Sequence, residues 1–286
     1  FSDAVSLIKV GTGTLNLTGA STTSGNFTVN AGTLNLNFGR ASASQSGAGS
    51  VSDFLPSAAP LTLGGGTFQL TSRNNGTATT LTGASWAAAQ PIITVSSTAG
   101  LAPGQLVSHA NLPGGAYVVS VLSSTQFIIN LLPTVAGSSA TISATANSVT
   151  TSQTFAGLIL NPGASSVTVT IPSNGSDGTV LNLGAITRDS GATVNFTLPS
   201  GTQNATNGIT TETLNGNGGI LGGWARVGNH WAINSTNTTG GNIAALATYT
   251  DVNRLGGTLL SAATANVRLV DGGASGSVTP TSSGTT

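Results

Sequence analysis

The sequence predicts an all-β fold in which short strands stack in register as the rungs of a β-solenoid. Three observations lead to this fold class: strong helix formers are scarce, apolar and polar side chains alternate in short runs, and one pentad recurs at a fixed spacing. Glu and Lys occur once each and Met is absent, so we expect no amphipathic helix of useful length.

The first strands come from the pentad Gly-Thr-Leu-Asn-Leu, which occupies 13–17 and recurs unchanged at 32–36. Related runs follow at 66–70 (Gly-Thr-Phe-Gln-Leu) and 178–183 (Gly-Thr-Val-Leu-Asn-Leu). The alternation after each glycine is the period of a strand with one buried face. Runs rich in Gly, Asn and Ser between the copies predict tight turns.

A closed sandwich and a solenoid both accommodate such strands. The identical pentads favour the solenoid, because a sandwich has no reason to repeat a sequence so closely. In a stack, identical residues of the two copies lie in adjacent rungs: Thr14 against Thr33, Leu15 against Leu34, and Leu17 against Leu36. At about 22 residues a rung, the solenoid would contain about ten rungs.

Residues 76–150 interrupt this pattern. They are more hydrophobic and less rich in Asn, with apolar runs at 116–122 and 125–132, and these features predict a small antiparallel β module. The flanking segments read as one continuous solenoid passage, so we expect the module to be inserted in a solenoid loop. The predicted organisation is therefore solenoid over 1–75, inserted module over 76–150, and continued solenoid over 151–286.

The segment VGTGTLNLTGASTTSGNFTVNAGTLNL, from Val10 to Leu36, resembles the autotransporter-associated β-strand repeat of secreted passenger domains and large surface proteins of Gram-negative bacteria. Segments beginning at Ser152, Gly218 and Asn242 resemble further recurrent blocks of those proteins. The resemblance implies a right-handed parallel β-helix, secreted and displayed at the cell surface, and it implies no activity. The insertion resembles small β modules of phage and bacterial surface proteins.

Composition excludes several classes of protein. One Lys and six Arg at zero net charge cannot form the basic footprint of a nucleic-acid-binding protein. No apolar run approaches the roughly 18 residues of a membrane-spanning helix, and the absence of Cys excludes disulfides and thiolate metal sites. Because Met is absent and both ends fall within a repeat, we expect a fragment, a processed passenger or a polymer subunit.

The acidic residues give little sign of catalysis. A polysaccharide-cleaving β-helix needs converging carboxylates, or carboxylates that hold calcium. Asp177 and Asp189 are the acids closest in sequence, and both lie in turn-like contexts where capping is the expected role. His109 and His230 are too far apart in sequence to suggest a shared site. We therefore expect no catalytic residue, no metal ligand and no cofactor.

The aromatic residues allow two interpretations. Trp224 and Trp231 flank Arg226 and would suit a sugar-stacking platform, but filling the core is the favoured role; Trp86 and Tyr117 belong to the insertion. The glycosylation sequons, among them those at Asn16, Asn26 and Asn75, follow from composition and carry little weight in a bacterial protein.

The expected function is that of a non-catalytic structural protein of the bacterial surface or extracellular space. Neither end shows a polar cap, and unpaired strand edges are templates for another chain. We therefore expect end-to-end self-association into a filament, with residues 1–10 as a donor strand. The alternatives are an adhesin whose insertion binds a surface or glycan, a polysaccharide-cleaving enzyme, and a trimeric phage tail spike.

Overall fold

The computed structural model describes residues 5–21, 24–40, 51–145, 150–172, 178–253, 258–259, 265–270 and 279–280. Over these residues the fold is all-β, as predicted. Two 3-10 turns, Phe38–Arg40 and Asn217–Gly219, are present, and the described ranges contain no α-helix. Asp177 lies outside the described residues, as do residues 1–4 of the expected donor strand.

The described residues form 27 short strands. In chain order they are β1 (Leu7–Lys9), β2 (Thr14–Leu17), β3 (Phe27–Val29), β4 (Thr33–Asn37), β5 (Val51–Ser52), β6 (Leu61–Leu63), β7 (Thr67–Thr71), β8 (Thr79–Trp86), β9 (Ile92–Thr94), β10 (Val107–Ser108), β11 (Val118–Val121), β12 (Gln126–Ile129), β13 (Gly137–Ala144), β14 (Thr150–Thr154), β15 (Gly157–Leu160), β16 (Gly163–Thr170), β17 (Gly178–Asn182), β18 (Ala185–Arg188), β19 (Ala192–Thr197), β20 (Gly208–Thr211), β21 (Ala225–Val227), β22 (His230–Asn234), β23 (Gly241–Ala245), β24 (Thr250–Asn253), β25 (Thr258–Leu259), β26 (Val267–Val270) and β27 (Thr279–Pro280).

Most of these strands belong to three parallel stacks. The first stack has the order β1-β3-β6-β15-β18, the second β2-β4-β7-β16-β19-β21, and the third β5-β14-β17-β20. A rung consists of successive strands along the chain, each from a different stack. The first rung is β1 and β2, the second β3 to β5, the third β6, β7 and β14, the fourth β15 to β17, and the fifth β18 to β20. The chain thus revisits the same stacks in the same order.

The pentads pair in the predicted register. Strands β2 and β4 are parallel with Thr14, Leu15 and Leu17 opposite Thr33, Leu34 and Leu36, and β4 pairs with β7 in the same way. The run at 178–183 behaves differently, because it forms β17 of the third stack. Its resemblance to the pentads reflects the strand period that all stacks share, and grouping it with them was wrong.

Register-matched stacking produces continuous apolar columns. In the second stack one column runs through the five rungs and ends on β21, the first strand of the meander described below. Its members are Leu15, Leu34, Phe68, Val167, Phe196 and Val227. The four middle members are almost completely buried. Burial of such side chains contributes roughly 25 cal/mol per Å² of apolar surface, so each rung stabilises the next.

Polar side chains also form ladders. Asn35 Nδ2 donates to Asn16 Oδ1 at 2.9 Å, and Thr71 Oγ1 donates to Asn35 Oδ1 at 3.0 Å. These side-chain bonds link the first three rungs on the opposite face from the leucine column.

A separate antiparallel sheet lies between β7 and β14. Its order is β10-β13-β8-β9-β12-β11, and its buried side chains form an apolar cluster distinct from that of the rungs. The alanine-rich run 87–90 is a turn after β8. At the base of this sheet the buried Gln105 donates through Nε2 to the carbonyl oxygens of Thr77 and Thr145, which brings the entering and leaving segments together.

The far end of the stacks differs from the sequence expectation of uncapped ends. Strand β21 continues the second stack, β22 turns back antiparallel to it, and β23 pairs antiparallel with both β22 and β20. This meander joins the second and third stacks into one curled sheet of twelve strands. Among the described residues five rungs precede the meander, fewer than the expected number of about ten.

Candidate assembly surface

The first rung presents unpaired strand edges. Strands β1 and β2 are the outermost members of their stacks, and no strand within the described residues pairs with their outer edges. Leu7 N donates to Asn26 O, and Lys9 O accepts from Asn30 N. Because the backbone groups of successive strand residues point to opposite sides, Ile8 between them directs its N–H and C=O outward, where they can pair with another strand.

An apolar cavity of about 600 Å³ lies at the same end. Its apolar lining includes Leu7, Leu15, Leu17, Phe27 and Leu55. Leu15 and Leu17 are half-buried, whereas their counterparts in the second rung, Leu34 and Leu36, are 0% exposed. The difference arises because no described strand stacks on the outer side of the first rung. We call the outer edges of β1 and β2, together with this cavity, the open end.

Exposed aliphatic side chains surround the open end. Val5 is 46%, Ile8 60% and Val10 64% exposed. None of the residues that line the cavity carries a formal charge. A strand that covered the open end would therefore bury apolar surface and would desolvate no ionised group of the lining.

The single lysine of the chain holds the corner between β1 and β2. Lys9 Nζ donates to the carbonyl oxygens of Val10 and Gly11, both at 2.7 Å, and of Ala31 at 3.1 Å. The corner of the next rung passes directly beside it at Gly32, which has φ of +65°. A Cβ there would collide with the carbonyl oxygens of Gly11 and Gly13, so only glycine allows the two corners to stack.

The floor of the cavity is braced from the third stack. Gln153, which is 0% exposed, accepts from Leu55 N at 3.1 Å through Oε1 and donates through Nε2 to Leu55 O at 2.9 Å and Thr154 O at 2.7 Å. One side chain thereby satisfies both backbone groups of a residue that lines the open end.

A second apolar surface lies on the antiparallel sheet. Of the eleven large apolar side chains that are exposed among the described residues, seven lie between 92 and 135. Leu132 and Val135, at 55% and 53%, are the most exposed of the seven. Their loop is anchored by Trp86 Nε1, which donates to Val135 O at 2.8 Å. No Asp, Glu, Lys or Arg occurs between Arg73 and Asp177, so this surface is uncharged.

Three of the candidate catalytic residues, Asp189, His109 and His230, lie within the described part of the chain and have different surroundings. Asp189 lies exposed in the turn between β18 and β19, as expected of a turn residue. The ring of His109 packs edge-on against Trp86 at 5.3 Å, and that of His230 lies 5.8 Å from Tyr249. Among the described residues, no group of three or more His, Asp or Glu side chains is placed to hold a metal ion.

The aromatic residues occupy different positions. Trp224 is half-buried and packs against the core of the rungs, whereas Trp231 lies opposite Arg226 in the β21–β22 pair. Trp86 is 5% exposed, which leaves little of its ring for a sugar to stack on. Asn75 is only 3% exposed, so its sequon is inaccessible in the folded chain.

The C-terminal strands form an arrangement that the sequence interpretation missed. Strand β24 pairs in parallel with β26, and β25 with β27. Arg268 binds Asp251 through two bonds of 2.9 Å and lies 5.2 Å from the centre of the Tyr249 ring. This hydrogen bonding holds the pKa of Asp251 below its usual value and raises that of Arg268.

A sequence signal for these strands does exist. β3 ends at Val29, Asn30 follows it, and Gly32-Thr33-Leu34 leads into β4. Likewise Val252-Asn253 ends β24, and Gly257-Thr258-Leu259 leads into β25. The second copy has two extra residues between its halves, which conceals the match from a search for intact pentads.

Comparison with known families bears directly on the open end. Residues 7–36 match the family model of the passenger-associated-transport-repeat. The matched residues cover β1 to β3 and all but the last residue of β4, that is, the strands of the first two rungs except β5. The chain therefore carries an autotransporter passenger-like β repeat, which confirms the resemblance seen from Val10 to Leu36 and supports a secreted or surface-displayed protein.

No curated protein and no solved structure matches the chain. Within the described residues, no helix has the length and hydrophobicity needed to cross a membrane.

Proposed function

We propose that the chain is a non-catalytic structural protein of the bacterial cell surface or extracellular space, a stalk or fibre subunit whose copies associate end to end into a filament. In this proposal the three stacks coil as a right-handed parallel β-helix. The observation that carries the proposal is the open end, which combines unpaired parallel edges with an uncovered apolar cavity.

The energetics favour an added strand over solvent. Each backbone hydrogen bond gained across the open end contributes about 0.5–1.5 kcal/mol net. An added strand would also bury Leu15 and Leu17 to the extent that Leu34 and Leu36 are buried. This burial stabilises the junction by roughly 25 cal/mol per Å² of apolar surface. A second copy would supply both at every junction, whereas a free edge of this kind is an aggregation hazard.

The passenger repeat and the composition support the proposed location. Passenger-like repeats are typical of proteins exported by Gram-negative bacteria, which is the source we propose. A chain without Cys needs no redox environment to fold. Its single lysine is buried in a corner, and a buried residue is a poor target for proteases that cleave after exposed lysine.

The dispersed acids support a non-catalytic role. A second cavity, of about 240 Å³, lies beside the third stack and has one carboxylate, Glu212, in its lining. Glycoside hydrolysis requires two carboxylates across the scissile bond. With a single one, this cavity lacks the partner that such chemistry needs.

The antiparallel sheet favours adhesion as a second candidate function. We propose that 76–150 is a module inserted in the third rung and that its exposed aliphatic surface contacts an uncharged partner. The observation that favours this role is the concentration of exposed apolar side chains on a segment without formal charge. Deleting 76–150 should abolish attachment while leaving the rungs folded, as checked by circular dichroism.

The experiment that tests the filament compares Ile8→Pro with Ile8→Val. Proline removes the outward N–H of β1 without touching the bonds from β1 to β3, while valine retains it. Negative-stain microscopy and sedimentation should show filaments for the wild type and Ile8→Val, and shorter or no filaments for Ile8→Pro. Aligned filaments should diffract at about 4.8 Å along their axis.

Two results would overturn the proposal. One is a wild-type chain that stays monomeric at high concentration; the other is filament formation by Ile8→Pro equal to that of Ile8→Val. Far-UV circular dichroism of all three proteins establishes that each variant is folded.

A further inference from the structure

We infer that the strands β24 to β27 of a second copy cover the open end, so that the filament grows head to tail by parallel strand pairing. This inference rests on the proposed function and identifies which part of the neighbouring copy enters the junction. Three features of the C-terminal strands carry it.

The first feature is that these strands already stack in parallel. β24 pairs with β26 through four residues and β25 with β27 through two, in the same alternation of two stacks that β1 to β4 follow. A strand presented in this way can add to β1 or β2 with the direction and spacing of the existing rungs. Within the described residues, β26 has no pairing strand other than β24.

The second feature is sequence likeness. The C-terminal strands repeat the Val-Asn and Gly-Thr-Leu elements that mark the passenger repeat of the second rung. These elements lie on β24 and β25, on which β26 and β27 stack. The C-terminal stacks therefore extend a pair of strands related to β3 and β4, the strands that cover β1 and β2 from the inner side.

The third feature is matching alternation. In the C-terminal pair Asp251 and Arg268 are 44% and 50% exposed, while Val252 is 5% exposed. In β1 the outward residue is Ile8, and Leu7 faces the core. Aligning the strands from their first residues gives four junction positions: Leu7 opposite Val267, Ile8 opposite Arg268, Lys9 opposite Leu269, and Val10 opposite Val270.

The C-terminal strands are tied to the meander of their own copy and to the 3-10 turn that precedes it. Trp231 N donates to Tyr249 Oη at 2.9 Å, and Asn266 Nδ2 donates to Gly218 O at 2.6 Å. A strand held in this way loses less conformational freedom on docking than a free tail would. The junction would therefore transmit the orientation of one copy to the next.

Head-to-tail pairing is also what a filament requires. Pairing of the open end with the open end of another copy would be two-fold symmetric and would close as a dimer. Pairing with β26 and β27 uses two different surfaces, so each added copy presents a new open end.

The absence of Cys makes disulfide cross-linking a direct test. Separately purified Val10→Cys and Val270→Cys chains are mixed under filament-forming conditions, oxidised, and examined by non-reducing electrophoresis. Neighbouring strands lie about 4.8 Å apart, within the Cα separation that a disulfide spans. We expect a cross-linked dimer as the main product, at least five-fold above that of a Val10→Cys and Thr187→Cys mixture, in which Thr187 reports the outer strand β18 of the first stack.

Each outcome distinguishes the inference from the proposed function. Filaments with the Val10–Val270 cross-link support both. Filaments in which Val10→Cys links to Thr187→Cys, or to another Val10→Cys, overturn the inference and leave end-to-end assembly standing. Absence of filaments in the wild type overturns the proposed function, and the inference falls with it. Ile8→Cys with Arg268→Cys is a second pair in case either variant folds poorly.

Discussion

Replacing the buried Gln153 by leucine tests whether the floor of the open end depends on one side chain. The substitution keeps the side-chain volume approximately and removes the acceptor of Leu55 N–H and the donor to the carbonyl oxygens of Leu55 and Thr154. Gln69→Leu is the matched control. Gln69 lies in the same rung, and its Nε2 makes one exposed bond of 3.3 Å to Thr170 Oγ1.

The expected magnitudes follow from burial. A buried donor or acceptor left without a partner costs about 1–3 kcal/mol. Gln153 and Leu55 are 0% and 1% exposed, so water cannot replace the lost bonds. Three backbone groups lose a partner, partly offset by the burial of a more apolar side chain. We therefore expect Gln153→Leu to lower the free energy of unfolding by about 3 kcal/mol and Gln69→Leu by less than about 0.5 kcal/mol.

Urea unfolding followed by far-UV circular dichroism measures both values. The midpoint should fall strongly for Gln153→Leu with little change in slope, because the surface exposed on unfolding is the same. Because Leu55 lines the cavity, filament growth by Gln153→Leu should also slow. Equal losses in the two variants, or a loss below about 1 kcal/mol for Gln153→Leu, would refute this reasoning.

Two further predictions concern other parts of the chain. In Gly137→Ala the new methyl group collides with the indole of Trp86 and breaks the hydrogen bond from Trp86 Nε1 to Val135 O. The near-UV circular dichroism signal should therefore weaken, and the free energy of unfolding should fall by about 1–3 kcal/mol. An unchanged spectrum would contradict this. Arg268→Ala should return the lowered pKa of Asp251 toward 3.8 in an NMR titration. In the wild type the ion pair stabilises the fold above pH 3.8, and this contribution is lost as the pH falls through the lowered pKa of Asp251. Identical Asp251 titration curves in the wild type and Arg268→Ala would exclude the ion pair.

The sequence predicted the register of the first rungs because two signals coincide there. Alternation defines which side chains face the core, and a one-residue slip would expose all of them. Identical pentads then leave a single alignment, with Leu15 and Leu17 beneath Leu34 and Leu36. Where only the alternation was present, at 178–183, the sequence predicted a strand and grouped it with pentads that lie in another stack.

The open end was predicted in part. Uncapped ends were expected from composition, but the outward N–H of Ile8 and the bracing of Leu55 by Gln153 depend on which residues oppose each other across rungs. The bond from Gln153 to Leu55 spans 98 positions of the sequence, and no local pattern indicates it. Likewise the buried role of Lys9 follows from three carbonyl oxygens that converge only in the folded corner.

By itself, the sequence determined that the chain is all-β, that the first rungs stack in one register, and that it carries a passenger-like repeat. These properties arise from short-range periodicity, which strand geometry converts directly into a buried face and an exposed face. The tertiary structure alone decided that a meander joins the second and third stacks at one end, and which groups of the first rung lack a partner strand among the described residues. Those outcomes depend on pairing between strands far apart in the chain. Any strand with alternating apolar and polar residues can form such a pair, and side-chain packing in the folded chain determines which pair forms.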